Sequence, residues 1–572
     1  MKVNSIANII LASGIMGFFI ASCANVRQPI GGQQDTIPPK LVTSVPQMGD
    51  INYRGKKFAF TFDEYTQPKN LKQKLLITPQ TDVRYDFKMK KKSLIITFEE
   101  PLEENTTYNF NFQDAIQDIN ENNPWKNSVF AFSTGDYIDS LEISGQVTEL
   151  MTGLPVKEAT VVLFDVSDSL NIFTGKPEYF AKTDEEGFYK LSYIRNGDFR
   201  AYAFLDANNN LLNDAESEPS AFLTDTLSLS ESQENLDFQL LLVDGREFHV
   251  NSAKPSGKYF DVIFNKYVTD YEVNFLNPDE KVLHDFSVEH NGVRFFNLEL
   301  RSENDSIAAR IIAKDSVNNE GFAEVFIKFS ESRRKYGEFL TEIVNTNHDN
   351  PVPADFSEKI RFNKPIREVH PDSMLFAFDT LNFLQIDIEK ELEWNENFNE
   401  VTIRKNIGLD SIFLPPADTL FLDSLKADSI YINQPSPIVF KEVSLVLPKG
   451  AFISVESDSS EAISQKFSLA RPEDLGSIAG RVVTNYPKYK IQALSQDYKL
   501  VKELEPSENG DYLFQNLKPG TYRLRLLIDE NENGVWEYGN MLKNESPEPV
   551  YIYPEEIAIR ANWELTNIDL VY

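Results

Sequence analysis

Two short runs of oxygen-bearing side chains are where this sequence carries chemistry: Asp206, Asn208 and Asn210, and again Asp529, Asn531 and Asn533. Such side chains at alternate positions of a tight loop converge on a hard cation, and calcium loops use this spacing. The second run adds Gly534 and Glu537 but has Asn540 where a bidentate Glu would close the shell; the first has Leu211 in place of the glycine, with Asp214 and Glu216 downstream. Calcium is therefore the one cofactor suggested, at Asp529, Asn531, Asn533 and Glu537, and with a poorer donor set at Asp206, Asn208, Asn210 and Asp214. The alternative is an Asx-rich hairpin loop that needs no metal. Trp536 and Tyr538 flank Glu537 and offer a pair for stacking on a sugar if exposed. Aromatic residues in sandwiches more often fill cores and contacts between modules, and Trp125 and Trp563 pose the same choice.

Catalytic inventories come up short. None of His249, His284, His290, His348 and His370 is followed by Glu at the third position, so the H-x-x-E zinc pair is missing. There is no G-x-S-x-G and no P-loop, and the single cysteine is Cys23. A glycosidase-type carboxylate pair cannot be picked out of 88 acidic residues, which leaves an enzyme with an unrecognised pair as a rival reading. Against those 88 acids stand 56 Lys and Arg, a net charge of -32 that repels nucleic acid at long range. The one basic cluster, Lys88, Lys90, Lys91 and Lys92, reads as a solvated strand end.

The elements that must position these residues are strands. Apolar residues alternate with period 2 throughout, as in Phe58, Phe60 and Phe62, then Leu94, Ile96 and Phe98, then Tyr108, Phe110 and Phe112. No long stretch carries a 3.6-residue period, so the fold class is all-β, built as tandem sandwiches of antiparallel sheets. A length of 572 exceeds what one core sustains. With a lone cysteine, these modules must be stable through core burial without disulfides.

At the N-terminus, Lys2 precedes the apolar run Ile9 to Ile20, too short to span a bilayer comfortably, which reads as an export signal. Its end, Ile20-Ala21-Ser22-Cys23, resembles the bacterial lipoprotein box. That resemblance implies that Cys23 becomes the first mature residue, joined to diacylglycerol and held stably by two or three acyl chains. Residues Ala24 to Ile37 look like a flexible tether, reaching roughly 45 Å if fully extended. Ala24-Asn25-Val26-Arg27 lacks acids, which favours a periplasm-facing outer-membrane protein over a surface-exposed one.

Further motifs occur in order: Asp35 to Pro39, Phe60 to Glu64, Leu102 to Tyr108, Asp118-Ile119-Asn120-Glu121-Asn122, and Phe130 to Gly135. Together they resemble the bacterial Ig-like domain of the SbsA or Big_5 type, common in lipoproteins of Bacteroidota, and the Asp118 run matches a turn of that family. Phe264 to Val268 and Phe362 to Ile366 echo Phe62 to Thr66, which implies two further, weaker copies. A second module is duplicated too. Phe132, Ser133, Asp139 and Gly145 are matched at one offset by Phe467, Ser468, Asp474 and Gly480, and Gly187, Gly197 and Asp206 by Gly510, Gly520 and Asp529 at identical internal spacing. Ile143 to Val147, Thr183 to Tyr189 and Gly197 to Phe199 resemble the carboxypeptidase-regulatory-like, transthyretin-like and Cna-B group of sandwiches. Their glycines are expected where the chain turns with positive φ.

The expected organisation is a signal peptide (1–22), a tether (23–37), an Ig-like domain (38–136), a transthyretin-like sandwich (139–244), two Ig-like sandwiches (246–332 and 337–470, the latter interrupted by a polar insertion at 409–437) and a second transthyretin-like sandwich (474–572). The expected protein is an elongated, monomeric, noncatalytic lipoprotein, anchored through Cys23, that acts as a scaffold or adhesion protein towards protein or glycan partners of the cell envelope. A carbohydrate-binding lipoprotein is the first alternative, supported by the aromatics and by starch-binding-like relatives of the second module.

Overall fold

In a computed structural model, the chain is described over residues 35–572 except 127, 278, 288, 299–304, 331–337, 345–351, 353–354, 373, 380–381, 396, 408–441, 506 and 508. Cys23 and the 409–437 insertion lie outside the described residues. Alternation decides the local structure. In Lys57–Phe62 the side chains of Phe58, Phe60 and Phe62 are buried while their neighbours face outward, and Ser93–Phe98 buries Leu94, Ile96 and Phe98 in the same way. Among the described residues, helix is confined to Leu71–Lys74 and two 3-10 turns, Pro472–Asp474 and Met541–Lys543.

The strands gather into many small sheets around five separate apolar cores strung along the sequence. In the first, third and fourth sandwiches one sheet repeats a single order. Leu41–Val45, Lys57–Phe62, Ser93–Phe98 and Tyr85–Lys90 are matched by Val250–Ser256, Tyr259–Phe264, Gly292–Phe296 and His284–Phe286, and by Thr341–Val344, Asp355–Phe362, Glu400–Asn406 and Leu392–Trp394. The second and fifth sandwiches share a different plan. Leu141–Glu149 runs between Phe188–Ile194 and a parallel Phe238–Leu240; Gly476–Val483 runs between Asp511–Leu517 and the parallel Glu564–Leu565 and Leu570–Val571.

The expectation of positive φ holds for only part of the shared glycines, and Gly197 and Gly520 do not have it. Gly187 and Gly510 do turn with positive φ, at 77° and 74°. Gly145 and Gly480 instead lie in strands that another segment of the chain crosses close by: a Cβ would sit 2.1 Å from the Leu236 carbonyl oxygen in one copy and 1.8 Å from that of Ile568 in the other. The same two carbonyls accept the hydroxyls of Tyr189 and Tyr512, each at 2.6 Å. Close approach, not turn geometry, fixes glycine there, which corrects the expectation drawn from the motif.

Serial order along the chain is not serial contact in space. Leu76 of the first sandwich packs with Val162, Phe164 and Phe204 of the second. The third and fourth meet at Glu456, whose buried carboxylate takes Lys258 at 2.9 Å, Tyr259 at 2.8 Å and Lys364 at 2.9 Å. The fifth packs back on the second and third, where the D-x-N-x-N loop lies.

Candidate functional site

Asp529 follows the long strand Gly520–Ile528 and is buried. Its carboxylate accepts the backbone N–H groups of Asn533 at 3.0 Å and Gly534 at 2.7 Å, while the Asn531 side-chain oxygen also accepts from Asn533 and that of Asn533 accepts from Val535. Asn531 donates its amide to Glu537 at 2.6 Å. The first copy repeats the pattern: Asp206 accepts from Asn210 and Leu211, Asn208 from Asn210, and Asn210 from Leu212. Leu211 adopts φ of 61° where the second copy has Gly534 at 94°, so the first loop tolerates the side chain at a cost in strain. Asp214 is exposed and joins its loop through its backbone N–H.

Both loops contain an acid that the calcium spacing does not identify. Glu548 accepts the N–H groups of Glu530 and Asn531 on one oxygen and of Glu537 on the other; Glu218 accepts those of Ala207 and Asp214. Each precedes a proline, in Glu218-Pro219 and Glu548-Pro549, and that shared dipeptide is the sequence signal for them. Backbone N–H groups thus brace the carboxylate oxygens of both runs, and each loop closes as an Asx-braced turn. Among the described residues no group of three or more His, Cys, Asp or Glu is placed to hold a metal. Asp118 has the same habit. Burial raises its pKa, but the N–H groups of Glu121, Asn123 and Asn122 outweigh that and hold it below the usual carboxylate value.

The aromatic pair divides. Trp536 is only 9% exposed; it packs with Leu150 and Leu241 of the second sandwich and Leu527 of its own, and its indole N–H donates to the Glu548 carbonyl at 3.2 Å. Its face is spent on the junction and is not open for stacking on a sugar. Tyr538, in edge contact with Trp536 at 5.1 Å, is 42% exposed.

Polar contacts complete this junction. Arg525 is buried, pairs with the Gln492 side-chain oxygen and donates to the Met151 carbonyl at 2.7 Å. Burial pulls its pKa below the ordinary value against the opposing influence of Glu149 and Glu503. Asn540 is buried between the fifth and third sandwiches and donates to the Val317 carbonyl at 2.9 Å and the Asn319 side chain at 2.7 Å, while its own oxygen caps Leu542 and Lys543. Asn319 in turn hydrogen-bonds Asp315, which forms a buried ion pair with Lys266 at 2.5 Å. A polar chain therefore runs from the core of one sandwich to a cap in another. Between the second and fifth sandwiches a cleft of about 370 Å³ is left open, with Tyr538 and Tyr572 among its walls.

Residues 35–134 match the family model of the bacterial Ig-like domain, Big_5. The chain is a tandem array of β-sandwich and Ig-like domains. No curated protein matches it. Among solved structures it is similar to the major pilin subunit BcpA of Bacillus cereus (9% identity, 76% of this chain and 99% of that chain, TM-score 0.13). It is also similar to domains 1–6 of the surface layer protein SbsC (9%, 92% and 68%, 0.15). A third likeness is to SGBP-B of the Bacteroides ovatus mixed-linkage glucan utilization locus, in complex with a mixed-linkage heptasaccharide (9%, 66% and 88%, 0.16). At TM-scores this low, nothing further about this chain follows from them.

Proposed function

We propose that this chain is an envelope lipoprotein that presents a braced, multi-module binding platform, anchored through acylated Cys23 and held off the outer membrane, on its periplasmic side, by the tether that follows. The observation that carries the reading is the three-way junction. Asn540, Arg525 and Trp536 tie the fifth sandwich to the third and second through buried polar and apolar contacts, so surfaces from distant parts of the sequence are held in fixed register. Modules joined only by linkers move independently, whereas a desolvated, hydrogen-bonded junction resists separation. Among the described residues no helix is long and apolar enough to cross a membrane, and in this reading attachment is through the lipid alone.

The test is crosslinking in intact cells followed by partner identification, beside a Cys23→Ser chain. The reading expects one reproducible set of envelope partners for the acylated chain and release from the membrane fraction for Cys23→Ser. Membrane retention of Cys23→Ser would contradict the anchor. Failure to recover any partner would contradict the platform, and protease protection in whole cells checks the periplasmic side.

A further inference from the structure

We propose that the cleft between the second and fifth sandwiches is a binding site for a neutral oligosaccharide. This deepens the platform reading and rests on it. The cleft's volume of about 370 Å³ lies at the small end of ligand pockets.

Two walls of the cleft are tyrosines on the fifth sandwich. Tyr572 is 44% exposed and is fixed by its N–H to the Val483 carbonyl at 3.0 Å, its ring set against Tyr486 and Tyr551 at 5.9 Å each. Tyr538 is braced by the buried Trp536. Both rings are held before any ligand arrives, so little ordering entropy is lost on binding. The facing wall from the second sandwich brings the exposed Asp237 and Gln239, whose carboxylate and amide suit hydroxyl groups. Asp237 keeps one oxygen on the Gln146 N–H at 2.8 Å, which fixes its orientation.

Aromatic faces beside a few neutral or acceptor groups suit a ring that is apolar on its C–H face and hydroxylated at its rim. An acyl chain would leave Asp237 and Gln239 desolvated without partners. A uronate or phosphate would meet Asp237 and the field of a chain whose net charge is -32. Neutral sugar is the class that satisfies both walls. Because the walls belong to different sandwiches, the site exists only while the junction is closed.

The test is titration calorimetry on the full mature chain carrying Cys23→Ser, with maltohexaose, cellohexaose and xylohexaose as neutral probes and hexagalacturonate as the anionic one. At least one neutral probe is expected to bind. Tyr538→Ala and Tyr572→Ala should each weaken it roughly tenfold, as expected for loss of an aromatic contact. Gln239→Ala, an exposed change that leaves the fold intact, should weaken it several-fold. No binding by any neutral probe, binding indifferent to all three substitutions, or equal binding of hexagalacturonate would overturn the assignment. Recovery of envelope partners alongside silence towards sugars would remove this site and leave the platform standing.

Discussion

The side-chain amide of Asn540 donates to the side-chain oxygen of Asn319 at 2.7 Å, joining residues of the fifth and third sandwiches that are 221 positions apart in the sequence. The same Asn540 side chain caps the Met541–Lys543 turn, so junction and local turn depend on one residue. Replacing it with Ala leaves the Val317 carbonyl, the Asn319 side-chain oxygen and the Leu542 N–H without the partner Asn540 gives them, while Lys543 keeps the backbone carbonyl of residue 540. We expect Asn540→Ala to cost about 2–4 kcal/mol, the scale of several lost buried hydrogen bonds, measured by denaturant unfolding. The fifth sandwich should become the first part cut by limited proteolysis.

Glu456 makes the contact between the third and fourth sandwiches depend on pH. Burial raises its pKa, but hydrogen bonds from Lys258, Lys364 and Tyr259 outweigh this and hold it below the ordinary value. A carboxylate lowered in this way contributes fully above its unfolded value, and the contribution is lost as pH falls through the folded one. The stabilisation should therefore fade below pH about 4. Glu456→Ala removes a carboxylate that Lys258, Lys364 and Tyr259 share, while Lys364 keeps Asp458 at 2.6 Å, and should cost about 2 kcal/mol at neutral pH. Melting curves from pH 3 to 7 check both statements; an unchanged acid limb in the variant would contradict them.

Asp285, in the same contact, has the opposite sign. Burial pushes its pKa to about 6, although the Phe286 N–H and the Asn399 and Asn397 amides partly offset the effect. The folded state then holds a proton that the unfolded state has lost, so stability declines as pH rises from about 4 to about 6 and stays lower above that. Asp285→Asn removes the buried charge and keeps the Phe286 N–H on its side-chain oxygen, and should raise stability at pH 7 by about 1 kcal/mol. The slope between pH 4 and 6 should flatten.

For the crossing glycines, Gly145→Ala and Gly480→Ala drive a methyl group into a carbonyl and should each cost about 3 kcal/mol. Gly450→Ala meets nothing within 4 Å and bears only the strain of φ at 77°, so about 1 kcal/mol is expected. Equal losses at the three positions would contradict close approach as the cause.

The Asx-braced loop makes its own prediction. Asp529→Ala should lower stability by about 2 kcal/mol because the Gly534 N–H loses its acceptor and the Asn533 N–H is left with Asn531 alone. The loss should be the same in chelator and in millimolar calcium. A wild-type melting shift with calcium that vanishes in Asp529→Ala would instead assign the loop to a cation.

The sandwiches were legible because their signal is local: Phe58, Phe60 and Phe62 alternate, and alternation alone decides which face is buried. The paired modules were legible from fixed spacing. What sequence could not show is what depends on approach between distant segments. Gly145 reads like any turn glycine until the Leu236 carbonyl is seen beside it. Trp536 reads like an open aromatic until Leu150 and Leu241, nearly 400 and 300 positions earlier, cover it. The D-x-N-x-N spacing shows oxygens that converge but not which partners they converge on, and Glu548 joins them from outside the motif. Asn540 stood in the sequence as a departure from a calcium pattern; in the fold it is the residue that joins two sandwiches.

The most direct test of the account is crosslinking across the junction. In a chain carrying Cys23→Ser, cysteines placed at Asn318 and Lys543, whose backbone carbonyl and ammonium meet at 2.9 Å, are treated with a short bismaleimide at low protein concentration. The braced platform predicts an intramolecular crosslink in most chains, sharply reduced by adding Asn540→Ala. No intramolecular crosslink, or equal yields with and without Asn540, would contradict it.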